Sequence, residues 1–163
     1  MARWAATNTN WTPTAVADAT NFTSAGFFAL QGGSTTQRLV VTEVKVGGLA
    51  TSSAPSQLML ARDSTVGATL SGGNLAALDP ATAALAAPPV QFNTATTKPQ
   101  RSSTLQILPL GLNTYGGVIR WAVPLSEGIG LLGNTASLGE LSISHLANGT
   151  PGLMDCAMIF EPL

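Results

Sequence analysis

Charge is what this sequence has least of. Asp, Glu, Lys and Arg make up 9% of its 163 residues, against about 25% in an average soluble domain. Seven basic and eight acidic side chains cannot coat a domain surface, so solubility rests on Thr, Ser, Asn, Gln and exposed backbone. A formal net charge of −1 removes the repulsion that keeps copies apart and favours association. Much of the surface is therefore expected to be covered by further copies or a partner, the alternative being a monomer with an uncharged Thr/Ser coat. With no basic arm or stripe, no nucleic-acid partner is expected. Low charge combined with 45% apolar residues is not the composition of a disordered chain.

Other scarcities exclude further classes. The single cysteine, Cys156, allows no internal disulfide, and its apolar setting between Leu153 and Phe160 predicts a buried, inert thiol. No apolar run approaches the ~18 residues that read as a membrane-spanning helix, so no membrane partner is expected. The segment Met1–Asn8 lacks the apolar stretch of a signal peptide, which predicts a protein made and used, or assembled, in the cytoplasm. One His and one Cys cannot supply a Cys/His zinc site, and the scattered acids form no calcium loop. Neither metal nor cofactor is expected.

What is present is a series of short apolar runs separated by Gly, Pro, Asn and Ser. Phe27–Gln31, Arg38–Val46, Gln57–Arg62, Val90–Thr94, Thr104–Leu108, Gly117–Val123, Gly139–Leu146 and Leu153–Glu161 read as strands. In the clearest, Val40, Thr42, Val44 and Val46 are predicted to share one face, with Glu43 and Lys45 on the other. In the last, Met154, Cys156, Met158 and Phe160 alternate with Asp155 and Glu161. Asp79-Pro80 reads as an N-cap followed by proline at the first helical position, so residues 80–87 are a candidate for two helical turns, stopped by Pro88-Pro89. Residues 93–103, the most polar stretch, are predicted to be an exposed loop. The fold class is all-β: a jelly-roll-like antiparallel sandwich over residues 26–163, preceded by an extended arm over 1–25. The arm carries Trp4 and Trp11, expected to dock on the domain or on a neighbour.

The motifs that suggest chemistry fail on context. Gly128-Ile-Gly-Leu-Leu-Gly133 matches G-x-G-x-x-G, but no long helix and no acidic residue at 145–152 follows, so a Gly-rich turn between strands is the better reading. His145 shares a face with Leu141 and Ile143 and is expected to be partly buried and hydrogen-bonded. Glu127 and Glu140 flank the Gly-rich turn, where paired carboxylates would suit glycoside hydrolysis, although solvated loop-end charges are the default. No enzymatic activity is expected. For partner contacts, Trp4 and Trp11 are the candidate anchors, and Lys98 and Arg101 the candidate basic pair on the 93–103 loop. Tyr115 is the best lone aromatic for the rival function, a carbohydrate- or receptor-binding module of a phage fibre or other surface assembly.

The run Val41-Thr-Glu-Val-Lys-Val-Gly-Gly-Leu-Ala50, the following Ser-Gln-Leu-Met-Leu-Ala-Arg-Asp-Ser64 and the charge-poor Thr/Ala/Gly background resemble tailed-bacteriophage capsid decoration (cement) proteins. The resemblance is one of style over the whole chain, with no defining motif. It implies a jelly-roll-like protomer, usually trimeric, that sits on the virion surface and clamps neighbouring major capsid subunits, assembled in the host cytoplasm. On this view, deleting residues 1–12 would abolish shell binding and leave a folded oligomer.

Overall fold

The computed structural model describes residues 2–13, 27–97, 99–134 and 138–163. Their strands are β1 (Trp4–Trp11), β2 (Phe27–Gln31), β3 (Arg38–Gly48), β4 (Pro55–Thr65), β5 (Ala68–Gly72) and β6 (Asn74–Ala77). There follow β7 (Val90–Thr97), β8 (Gln100–Asn113), β9 (Val118–Ala122), β10 (Ile129–Leu132), β11 (Glu140–Gly149) and β12 (Met154–Pro162). The only helical element among these residues is a single 3-10 turn, Leu125–Glu127. Every strand pairing is antiparallel. One sheet runs β10-β3-β12-β1-β6, with β9 also on β3, and the other runs β5-β7-β2-β11-β4-β8. The chain is an all-β protein of two antiparallel sheets, as the spacing of its apolar runs predicts.

The core lies between the sheets and follows period two where the strands are regular. In β12, Met154, Cys156, Met158 and Phe160 are buried and alternate with half-buried Asp155, Ala157 and Ile159. Burial raises the Cys156 thiol pKa well above its usual value, so the thiol is inert as expected. From the other sheet, Phe28 and Leu30, Leu58 and Leu60, and Leu141 and Ile143 meet this face.

Simple alternation fails at two bulges. In β3, Leu39 and Val41 face the core, but so do Val44 and Val46, which have the opposite parity. The register against β12 slips between Ile159↔Glu43 and Phe160↔Val41, leaving Thr42 as the extra residue. Neither Val40 nor Thr42 therefore shares the core face of Val44 and Val46; the Thr42 hydroxyl donates to the Ile159 carbonyl and accepts from Arg3 Nη2. In β1 the register slips between Asn8 and Trp11, and Asn10 adopts a left-handed conformation (φ 58°). Asparagine is among the few residues that tolerate this conformation. The kink turns Trp11 inward beside Trp4 and Ala6 although its parity is opposite.

This strand corrects the expectation of an arm. Residues 4–11 form an inner strand, hydrogen-bonded to β12 on one side and β6 on the other. Residues 14–25 of the expected arm lie outside the described residues.

Two further expectations change. Asp79 does act as a cap, Oδ1 accepting from the Ala81 N–H and the carbonyl from the Thr82 N–H, but only one turn forms. The expected loop at 93–103 is instead the meeting of β7 and β8. β4 and β5 are separated only by Val66 and Gly67, and β7 and β8 only by residues 98–99. Thr65 pairs with Gln100 and Ala68 with Thr97, so the β4–β8 and β5–β7 pairs are one long ribbon bent at its middle. Beyond the bend, β7 pairs with β2, which carries the ribbon past β11 to the far edge of its own sheet.

Candidate interaction surface and a sealed acid pair

The ribbon bend sets the outer face of the second sheet. On that face Phe27, Ala29 and Gln31 of β2, Ala61 and Asp63 of β4, and Glu140, Ser142 and Ser144 of β11 are all buried. Arg101 is buried with them; its register partner on β4 is Asp63. The Gly67 N–H, at the bend, donates to Glu140 Oε2 at 2.9 Å, and Ser142 Oγ donates to Asp63 Oδ1 at 2.7 Å. Arg101 Nη1 donates to Ser144 Oγ.

The remaining oxygens, Asp63 Oδ2 and Glu140 Oε1, are buried without a hydrogen-bond donor among the described residues. Two buried carboxylates side by side cannot both ionise, so a shared proton joins them. Burial pushes the Asp63 pKa up to about 6, opposed by its hydrogen bonds to Glu140 and Ser142 and by the Arg101 charge. Glu140 is raised well above its usual value, first by burial and then by Asp63. The pair therefore retains a proton that two solvated carboxyl groups would release, and its negative charge faces Arg101.

Such a pair resembles catalytic machinery, but Asp63, Glu140 and Arg101 are each 0% exposed, and no substrate reaches them. The cluster ties the ribbon bend to β11. Because the folded protein retains protons that an unfolded chain releases above pH ~4, this cluster's contribution to stability falls as pH rises through about 6 and beyond. Glu140→Gln supplies a permanent N–H to Asp63 and keeps an acceptor for Gly67. It is expected to melt higher than wild type at pH 8, by about 1–3 kcal/mol of stability, the cost of a buried polar group short of a partner. The gain should vanish near pH 5, and thermal denaturation across that range checks it. His145 acts oppositely in both proteins: burial lowers its pKa, so its contribution is lost as pH falls below ~6.5.

The sequence candidates are distributed differently from expectation. Trp4 and Trp11 are 8% and 2% exposed and belong to the core, so they do not anchor a partner. Arg101 is not on an exposed loop but inside the acid cluster, and Lys98 lies outside the described residues. Glu140 pairs with Asp63, whereas Glu127 is exposed in the 3-10 turn. His145 is buried, and neither ring nitrogen finds a partner among the described residues. Gly133 closes the G-x-G-x-x-G run in a left-handed turn (φ 64°), with the Thr35 carbonyl where a Cβ would stand. Asp63 was not legible as a site residue, since its partner is 77 positions away in the sequence.

The exposed large apolar side chains fall into three groups. At one end of the sandwich, Leu49, Tyr115 and Val118 are drawn together by bonds from the Gly48 N–H to the Gly117 carbonyl and from the Ala50 N–H to the Thr114 carbonyl. At the other end are Leu78, Leu132, Leu138 and Leu163. The third group, Leu105 and Ile107, lies on β8, the edge of its sheet. There Ala61↔Gln106 and Asp63↔Arg101 set residues 102–105 of β8 against Arg62 alone. This wide bulge lifts residues 102–105 out of the ladder, and a second shift leaves Ile107 unpaired between Gln106 and Leu108; Thr104–Ile107 are all exposed. No protein-family model matches the chain, and no curated protein matches it.

Proposed function

We propose that this chain is a structural subunit that decorates and stabilises the shell of a phage capsid, binding between neighbouring major capsid subunits. The observation that carries the reading is the arrangement of its surface: apolar side chains displayed at both ends and on the β8 bulge, in a charge-poor protein whose Asp63–Glu140 cluster is sealed. Large exposed apolar groups mark contact sites, and low net charge favours them. A jelly-roll protomer is supported by the strand order, β1-β12-β3-β9/β10 in one sheet and β2-β11-β4-β8 in the other. That is the alternation of two Greek keys, with β5–β7 added.

Modest contacts to several subunits at once add to slow dissociation, and a ligand of the assembled form alone stabilises that form. The protein is expected to co-migrate with particles in a density gradient, in many copies each, and to bind assembled shells but not free capsid subunits. A protein found wholly in the soluble fraction would overturn the proposal. The rival glycan-binding reading has Tyr115, 62% exposed, as the one strongly exposed aromatic among the described residues, and predicts instead a signal on a glycan array.

A further inference from the structure

Two arginines stand apart from the other basic residues described. Arg3 pairs with Glu161 at 3.7 Å, Arg120 with Glu43 at 2.7 Å, and Arg101 lies in the acid cluster. Lys45 shares a small cavity with Asp155. Arg38 and Arg62 have no carboxylate partner among the described residues, yet both line one cavity of about 470 Å³ with Gly130, Leu131, Leu132 and Leu138. Arg38 opens β3 opposite Leu132 of β10, and Arg62 comes from β4, so the cavity is a mouth between the sheets at one end of the sandwich. Arg62 is half-buried, and burial depresses its pKa with nothing opposing it. A half-buried cation costs free energy until an anion meets it. The rim leucines, Leu132 and Leu138, are each 44% exposed, so the matching ligand is a carboxylate next to an apolar group.

The chain carries that combination itself. Leu78 is 52% exposed and is followed by exposed Asp79, which shares a cavity with Arg3, itself paired with Glu161, but forms no ion pair among the described residues. The other exposed acid described in full, Glu127, follows Ser126 and precedes Gly128, with no exposed large apolar neighbour. We infer that the Arg38–Arg62 mouth receives the Leu78–Asp79 corner of a second copy of this chain, an inference that rests on the assembly reading above. Corner and mouth lie at the same end of the first sheet but on opposite edges, beyond β6 and beside β10. Four strand spacings, about 19 Å, separate those edges. One copy therefore cannot close the contact on itself, and repetition generates a head-to-tail ring or filament.

The test is the self-association of the full chain, by sedimentation equilibrium and native mass spectrometry. Asp79→Asn keeps the acceptor for the Ala81 N–H while removing the charge, and Arg38→Gln changes an exposed side chain. Each is expected to weaken association by roughly thirtyfold or more, with high salt acting in the same direction. Arg38→Glu combined with Asp79→Lys in one chain should recover association by exchanging the charges. A monomeric wild type at the highest soluble concentration would overturn this contact, leaving shell binding to its own test. An oligomer that both single variants leave intact, their melting unchanged, would overturn it while sparing the assembly reading.

Discussion

Deleting residues 1–12 is expected to leave no cooperatively folded protein. β1 pairs with β12 through Trp4–Asn8 and Trp11 and with β6 through Trp4–Thr7, so its loss splits a sheet and bares the edge of β12. It also removes Trp4, Ala6 and Trp11 from the core. Truncating one buried tryptophan costs about 3–5 kcal/mol. Losing two, against a whole-domain stability of roughly 5–15 kcal/mol, takes the chain to or past its limit. Trp11→Ala alone should lower the denaturant midpoint without abolishing the transition. Urea titration of the truncated chain, followed by circular dichroism, checks the claim. A normal cooperative transition would mean that β1 is dispensable, as an arm would be.

Replacing Arg101 by methionine is expected to be the most damaging single substitution of a charged residue described here. Its guanidinium is fully buried, donates to Ser144 and faces the negative charge of the Asp63–Glu140 pair. Methionine fills much of the volume but leaves that charge uncompensated, a loss of about 3–5 kcal/mol for a broken buried pair. Adding Asp63→Asn should recover part of the loss, because a neutral amide replaces the stranded carboxylate. Chemical denaturation of wild type and the two variants at pH 7 measures this. Arg101→Met within about 1 kcal/mol of wild type, the span of an ordinary surface change, would show that the cluster does not hold the ribbon bend.

The deletion and the substitution concern segments whose local pattern is informative to different degrees. Strands that keep strict alternation, such as Met154–Pro162, were legible because burial follows period two directly. Trp4 and Trp11 were legible as anchors but not as core, because their parity differs and only the bulge at Asn10 reconciles it. Thr42 misled for the same reason. The polar stretch 93–103 reads as a loop because polar residues usually face water. Here the long ribbon folds over its own sheet and buries Arg101, Ser102 and the acids they accompany. The pairing of Asp63 with Glu140 depends on that fold-over, which no local pattern announces. The scarcity of charge, by contrast, was visible from composition alone, and it agrees with the apolar ends and the β8 bulge.

If those surfaces are contact surfaces, backbone hydrogen exchange of the free and the particle-bound protein reads it. Amides at 104–107 and 115–118 are expected to exchange fast in the free protein and to become protected when it sits on the particle. The buried strands β11 and β12 should be slow in both states. Unchanged exchange at 104–107 and 115–118 in the particle-bound protein would show that they are not contact surfaces.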